Sequence, residues 1–400
     1  MSRNKLCLLL CVCCITGYIV INISHIWLLP QKWDYQIYAR CTHTFFHKKQ
    51  PYAISTFREE CFYPVAVHHF FKSFFLFPSV AKATMWNIVI FLATIGCLLL
   101  PFAIIRWSAF PASQKNAMLL MSPLIFSEPF QESVSLGNMS CLAALAVLSG
   151  IFFLQRKRAA IAGVILGLGG VLKLYPLYLV FYLLIVGLWR KESDKTKAGF
   201  WGLGLFFLIQ VLFWSSTYWT FLLSSKGMAN SLIKRGGNVS LLALIERFGY
   251  PTSPIFLLLL LGIPLGVFIL KKQQPFLVEC NLVILVMLMT NPAQWAHTFT
   301  IVLLPLVTAV GIVITIPAPT TTTQTSLRKL NYLLCILCCL VFWQPEHFAT
   351  IKNDLFNLSI MSIASIGFPF ALSSLLIVGA IQKRPFLTFE HTALPKVDMV

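Results

Sequence analysis

Acidic residues are what this chain has least of, with 13 Asp and Glu among 400 residues against 31 Lys and Arg. Charged residues of both signs make up only 11%, and no polar stretch is long enough to form a soluble domain. The formal net charge of +18 therefore does not point to nucleic acid, because no basic residues gather on a soluble amphipathic face. The N-terminal apolar segment lacks a small-x-small cleavage site and is too long for a signal peptide, so residues 6–30 read as a retained anchor. Cys335 and Cys338 have a Cys-x-x-Cys spacing, but the second His or Cys pair that a structural zinc site needs is missing nearby.

What is present is apolar. The chain is 58% hydrophobic, with 34 Phe and 10 Trp, and its apolar residues recur in blocks of roughly 17 to 25, the length that crosses a hydrocarbon core. The expected fold is all-α, a polytopic transmembrane helical bundle of about twelve spans. They are placed near 6–30, 85–105, 117–127, 136–154, 160–172, 175–189, 199–214, 254–270, 276–289, 298–316, 330–343 and 360–381, several of them short for a full crossing. The whole chain, 1–400, reads as one membrane domain with a first outer loop at 31–84, a second at 215–253, a polar inner linker at 317–329 and a tail at 382–400. With the N-terminus inside, 18 of the 31 Lys and Arg fall on inner connections, including Arg156-Lys157-Arg158 and Arg190-Lys191, and 11 of the other 13 lie in the two long outer loops. That is the positive-inside pattern, and it predicts both termini in the cytoplasm. Cys41 and Cys61 share the first outer loop and can pair if that face is oxidising.

The unusual polar residues fall on the outer side. Asp34, in Trp33-Asp34-Tyr35-Gln36-Ile37-Tyr38, stands where the first span leaves the bilayer, and a carboxylate there is a functional candidate. Glu128 and Glu132 are four apart and share a helix face, either as site carboxylates or as solvated loop charges. Lys173 follows the small-residue run Ala162 to Gly170, which permits close helix contact. Pro176 breaks the helix beyond it, so Lys173 sits at a bend lining a cavity, either as a snorkelling side chain or as an ammonium awaiting a phosphate. His297, in Asn291-Pro292-Ala293-Gln294-Trp295-Ala296-His297, is either a structural hydrogen-bonder or a proton-carrying ring beside an aromatic platform. In the first loop, Tyr63-Pro64 leads into Val65, Val67, Phe70 and Phe71 interleaved with His68, His69 and Lys72. This is the pattern of an interfacial helix lying along the membrane, or of a packed loop helix.

The order of these motifs resembles the integral-membrane glycosyltransferases of the GT-C class, most closely the polyprenyl-phosphate-mannose-dependent mannosyltransferases of glycosyltransferase family 87. The likeness runs from Trp33 to about Leu306. It is carried by Asp34 to Tyr38, Pro51-Tyr52, Phe62-Tyr63-Pro64, Trp86, Gly137-Asn138, Ala162-Gly163 with Gly167, and Lys173-Leu174-Tyr175-Pro176. It continues through Tyr218-Trp219, Asn238-x-Ser240-Leu241 with Arg247, and Asn291-Pro292-x-x-Trp295-x-His297. The sequence departs from the usual family pattern at Val65, where a second Pro is common, at Asn138, where Gln is common, and at Asn291, where Ser is common.

The resemblance implies transfer of a hexose, most readily mannose, from a polyprenyl-phosphate-sugar to a lipid or glycan acceptor hydroxyl. It implies Asp34 as general base, His297 as its partner in handling the proton, and Lys173, Arg247 and Arg235 as holders of the donor phosphate. Tyr38, Tyr63, Glu128, Glu132, Asn138, Tyr175, Tyr218, Asn238 and Trp295 become candidate sugar or acceptor contacts. No metal or other cofactor is implied, since a lipid-phosphate donor needs no nucleotide-diphosphate clamp and the chain lacks an Asp-x-Asp pair. Sequons at Asn138, Asn238 and Asn357 would suit the endoplasmic reticulum, but two of them coincide with motif positions, and the likeness is strongest to bacterial members, which points to the plasma (inner) membrane. A secondary transporter or lipid flippase is the alternative. No internal repeat is evident and the polar residues gather at one face, which favours interfacial chemistry over alternating access.

Overall fold

Proline begins several helices of this chain, at Pro64, Pro111, Pro176 and Pro275, because it removes a backbone donor and fixes φ, and left-handed residues at Gly137, Lys157 and Lys191 follow the ends of others. The computed structural model describes residues 3–24, 33–47, 63–74, 79–108, 110–213, 241–242, 245, 254–271, 274–291, 296–314 and 322–343. Every regular element among them is helical. Helix α1 (Arg3–Asn22) leads to α2 (Trp33–His47), α3 (Val65–Phe74), the long α4 (Ser79–Trp107) and α5 (Ala112–Leu119). Then come α6 (Glu128–Leu136), α7 (Ser140–Gln155), α8 (Ala159–Leu172), α9 (Pro176–Arg190), α10 (Ser193–Leu212), α11 (Pro254–Lys271), α12 (Phe276–Thr290), α13 (Leu303–Ile314) and α14 (Thr322–Trp343).

Several expectations change. Residues 117–127, expected as one span, are instead the end of α5 and a 3₁₀ turn over Ser122–Phe126. Pro123 lies in the first turn of that segment, where it prevents α5 from continuing. The span expected at 136–154 starts later, because Gly137 ends α6 with φ 70° and α7 begins only at Ser140. The first outer loop contains a helix the sequence did not announce, α2, which starts at Trp33 and carries Asp34 in its first turn. Helix α3 matches the expected loop helix, with Val65, Ala66, Val67, His68 and Phe71 buried and Phe70 exposed. It packs against α2, and buried His68 comes within 3.4 Å of the Thr42 hydroxyl through Nδ1. Burial, reinforced by His69, pushes the His68 ring down to about 3, so it is held neutral. Thr322–Trp343 is continuous helix, so α14 begins within the segment read as a linker. The span expected at 360–381 lies outside the described residues.

Among the described residues two helices have the length and apolarity of a full crossing, Lys5–Asn22 and Ala83–Trp107, and seven shorter apolar helices accompany them. Outward faces carry Trp189, Leu212 and Val211 at 69%, 69% and 65% exposure. Apolar faces of this kind on α1, α9, α10 and α14 are suited to lipid rather than water.

The centre of the molecule is the sequence of hairpins α7, α8, α9 and α10, with α4 against α7. The small-residue run of α8 does what its composition predicts. Helix α10 lies so close that a Cβ added at Gly167 would sit 2.6 Å from the Gly202 carbonyl oxygen. That oxygen belongs to a helix backbone and cannot turn aside. Gly167→Ala is therefore expected to lower stability by about 1–3 kcal/mol by overpacking. Gly204→Ala, where an added Cβ meets nothing within 4 Å, should be neutral or raise stability by up to about 1 kcal/mol through helix propensity. Thermal unfolding of the two variants in detergent checks the contrast.

Because short turns join these helices, the bundle has two distinct ends. The turns at Arg156–Lys157 and Arg190–Glu192 share one end, and the Arg156 guanidinium there lies 3.5 Å from the centre of the Trp107 ring. The α6–α7 turn and the α8–α9 turn share the other.

Candidate active site

The site is at the second end. Helix α8 stops at Lys173, whose extended backbone (φ −145°, ψ 139°) turns the chain before Pro176 starts α9. The break anticipated from Pro176 is present. Facing it is the turn Gly137-Asn138-Met139-Ser140, where α6 has ended and α7 has not yet begun. That turn is gripped from several sides. Trp86 Nε1 donates to the Gly137 carbonyl at 2.9 Å, the Met139 N–H donates to the Tyr38 hydroxyl at 3.1 Å, and the Tyr175 hydroxyl donates to the Ser140 carbonyl at 2.8 Å. The Tyr38 ring is itself enclosed by Tyr63, Phe71 and Trp86 at centroid distances of 5.2, 4.9 and 5.8 Å.

Held this way, the turn brings two opposite charges together. Asn138 Nδ2 donates to Asp34 Oδ2 at 2.7 Å, while Asn138 Oδ1 accepts the Ser140 N–H at 2.7 Å. A backbone N–H can only donate, so the amide oxygen must face Ser140 and the amide NH₂ must face the carboxylate. Lys173 Nζ donates to Ser140 Oγ at 2.6 Å, and its charge is attracted to that of Asp34. A carboxylate and an ammonium are thus fixed to two residues of one turn. Such an arrangement can take a proton from a hydroxyl at one place and receive negative charge at another.

The sequence-derived candidates divide into three groups. Asp34, Asn138, Lys173, Tyr175, Tyr38 and Tyr63 come together. Tyr38 is 1% exposed and Tyr175 7%, and both hydroxyls are bonded to the Asn138–Ser140 turn, so these two support the turn and do not present a face to a sugar. Glu128 and Glu132 both lie on α6, in the one-turn spacing expected, and both are partly exposed. Helix α6 touches α2, which carries Asp34, and the 3₁₀ turn Ala296–Val302, which carries His297. Arg235, Arg247, Tyr218, Asn238 and Trp295 lie outside the described residues, as does the side chain of His297.

Ser140 and Trp86 also hold the Asn138–Ser140 turn, Trp86 through its indole N–H and Ser140 through its backbone and hydroxyl, and only Trp86 belongs to the motif pattern. The signal for Ser140 was available, since Asn138-Met139-Ser140 reads as a sequon. Asn138 is buried and both ends of its amide are engaged, so the pattern belongs to the site and not to glycan attachment.

The sequence pattern of glycosyltransferase family 87 matches residues 62–292, more than half of the 400. The chain belongs to glycosyltransferase family 87. No curated protein matches it, and no solved structure does. As a family 87 member it is a glycosyltransferase, and the family together with its apolar helices marks a membrane protein. The matched span contains Asn138, Lys173 and Tyr175 but starts after Asp34 and ends before His297. The hydrogen bond from Asn138 ties Asp34 to that span.

A second polar centre lies at the basic end of the bundle, and the sequence reading did not single it out. Glu279 of α12 is fully buried. It accepts from Arg190 Nη1 at 2.7 Å, from the Gln274 N–H at 3.2 Å and from the Tyr182 hydroxyl, with Lys195 Nζ at 3.5 Å. Arg190 also donates to the Ile269 carbonyl, and Lys195 pairs with Glu192 at 2.9 Å. These contacts lock α9, α10 and the α11–α12 junction together.

Proposed function

We propose that the protein transfers a hexose, most readily mannose, from a polyprenyl-phosphate-sugar to a lipid or glycan acceptor hydroxyl at the outer face of the membrane. The observation that carries this reading is the pairing of Asp34 and Lys173 on the Asn138–Ser140 turn. Asp34 takes the acceptor's hydroxyl proton as the acceptor oxygen attacks the anomeric carbon. The bond from that carbon to the phosphate oxygen breaks, and the polyprenyl phosphate leaves with the bonding pair. Lys173 receives the charge that develops on the phosphate, with Arg247 and Arg235 assigned to the same anion. His297 is assigned to share the proton, and Trp295, Tyr218 and Asn238 to the sugar or acceptor. The lipid-phosphate donor is a co-substrate, and no metal or other cofactor is invoked.

Two observations support the outer placement. The basic turns lie at the end opposite the site, as a cytoplasmic basic end requires. Cys41, buried in α2 beside the site, is disulfide-bonded, which fits an oxidising compartment such as the periplasm. Its expected partner, Cys61, lies outside the described residues. The placement is a plasma (bacterial inner) membrane with both termini cytoplasmic.

The test is reconstitution in proteoliposomes with polyprenyl-phosphate-mannose and a panel of lipid and glycan acceptors. Transfer of labelled mannose to an acceptor is the expected result. Vesicle transport of solute without transfer to any acceptor would overturn the reading. Lys173→Gln, which keeps length and removes charge, is expected to lower kcat/KM by about 10²-fold through lost phosphate stabilisation, measured in the same assay across donor concentrations.

A further inference from the structure

We infer that Ser140 is a positioning residue that sets the place of the phosphate-binding ammonium relative to the base. This rests on the transfer reading above. Ser140 uses three separate groups on three partners. Its N–H donates to Asn138 Oδ1, its Oγ accepts from Lys173 Nζ, and its carbonyl accepts from the Tyr175 hydroxyl. Ser140 is fully buried, and its hydroxyl is therefore a fixed point. Lys173 has four rotatable bonds and stands at a chain break, so its own backbone defines the ammonium position poorly. The hydroxyl supplies the missing constraint.

The same residue reaches the base through the amide. Only when the Ser140 N–H holds Asn138 Oδ1 is the Asn138 NH₂ aimed at Asp34. Base and cation thus take their positions from one residue, two peptide units from Asn138, which explains why neither needs a direct bond to the other. An ammonium has three N–H donors, so Lys173 can keep its 2.6 Å bond to the Ser140 hydroxyl while it donates to a phosphate. The hydroxyl therefore acts on donor binding, while the backbone N–H, which survives any side-chain change, acts on the base.

The experiment compares wild type, Ser140→Ala and Ser140→Thr in full-length protein, using two measurements. One is equilibrium binding of polyprenyl phosphate alone, and the other is transfer kinetics with the sugar-charged donor. Ser140→Ala is expected to weaken lipid-phosphate binding and raise donor KM by about tenfold, the worth of one hydrogen bond to a charged group. Its kcat and the pH dependence of kcat should remain near those of wild type, since Asn138 is still held. Ser140→Thr, which keeps the hydroxyl, should restore most of the lost affinity. Size-exclusion profiles show that each variant is folded. Ser140→Ala with wild-type affinity, or Ala and Thr equally impaired, sinks the positioning role. Should wild type bind polyprenyl phosphate with the expected dependence on Ser140 yet transfer no sugar, the function proposed above fails and the role of Ser140 stands. A wild type that does not bind polyprenyl phosphate overturns both.

Discussion

Asp34→Asn is expected to reduce sugar transfer by about 10³-fold while leaving the fold and donor affinity intact, because a positioned general base contributes about 10²–10⁴. The substitution is nearly isosteric. The carbonyl oxygen of the new amide can still accept from Asn138 Nδ2, the bond that now measures 2.7 Å, so α2 keeps its place against the Asn138 turn. What disappears is the capacity to take a proton from the acceptor hydroxyl. Polyprenyl phosphate binding should change little, since Ser140 and not Asp34 holds Lys173 by hydrogen bond. The result that counts against the assignment is transfer within about threefold of wild type. In that case the base has to be sought on α6, where Glu128 and Glu132 are partly exposed on a helix that touches α2. Glu128→Gln and Glu132→Gln, tested alongside, should each cost much less than Asp34→Asn if Asp34 is the base.

The sequence makes some parts of this architecture legible and hides others for physical reasons. Helices α8 and α9 are legible to within a residue, and α4, α7 and α10 to within six, because each is bounded by a basic turn, a glycine or a proline and because lipid selects continuous apolar runs. Lys173 was readable for the complementary reason, since an ammonium next to an apolar run requires a compensating partner. Helix α2 was not. Trp33–His47 has too many polar residues to read as a span, and its helicity depends on packing with α3 and on the burial of Tyr38 and Cys41, which are tertiary effects. The role of Tyr38 was hidden likewise. A tyrosine near a candidate base suggests a sugar contact, whereas here the ring fills the space among Tyr63, Phe71 and Trp86 and its hydroxyl fixes a turn more than a hundred residues away. Residues 117–127 were misread because hydropathy counts apolar side chains and takes no account of where Pro123 breaks the backbone. The pairing of Asp34 with Asn138 spans 104 residues and is fixed only when the ends of α2 and α7 meet.

Glu279→Ala is expected to be the most damaging change to the fold, at about 3–5 kcal/mol, the usual consequence of removing one partner from a buried ion pair. Glu279 is the one charged residue of α12, a largely apolar helix, and such a residue in a membrane span requires a partner for its charge. It has three charge or hydroxyl partners, Arg190, Lys195 and Tyr182, contributed by two other helices. Lys195 retains Glu192 at 2.9 Å when Glu279 is lost, but Arg190 keeps only a 3.8 Å approach to Glu192 and the Ile269 carbonyl. The uncompensated guanidinium, 11% exposed, is then the main source of the instability. If that account is right, the damage should be reversible without restoring the acid. Glu279→Met combined with Arg190→Met removes both charges and replaces them with apolar volume, and it should be more stable than Glu279→Met alone, as apolar replacements of buried ion pairs often are. The site should respond too. Helix α9 is tied to α12 at both ends, by Glu279 at one and by the 3.0 Å bond between Thr290 Oγ1 and the Tyr178 hydroxyl at the other, and Tyr175 at its start holds the Ser140 carbonyl. Releasing the Glu279 end lets α9 shift along α12, so transfer should fall together with stability in the single variant and recover together in the double. Thermal unfolding and transfer rate measured on the same detergent preparations test this. A Glu279→Ala protein within about 1 kcal/mol of wild type, or a double variant no better than the single, would show that the network is not what holds α9 in register.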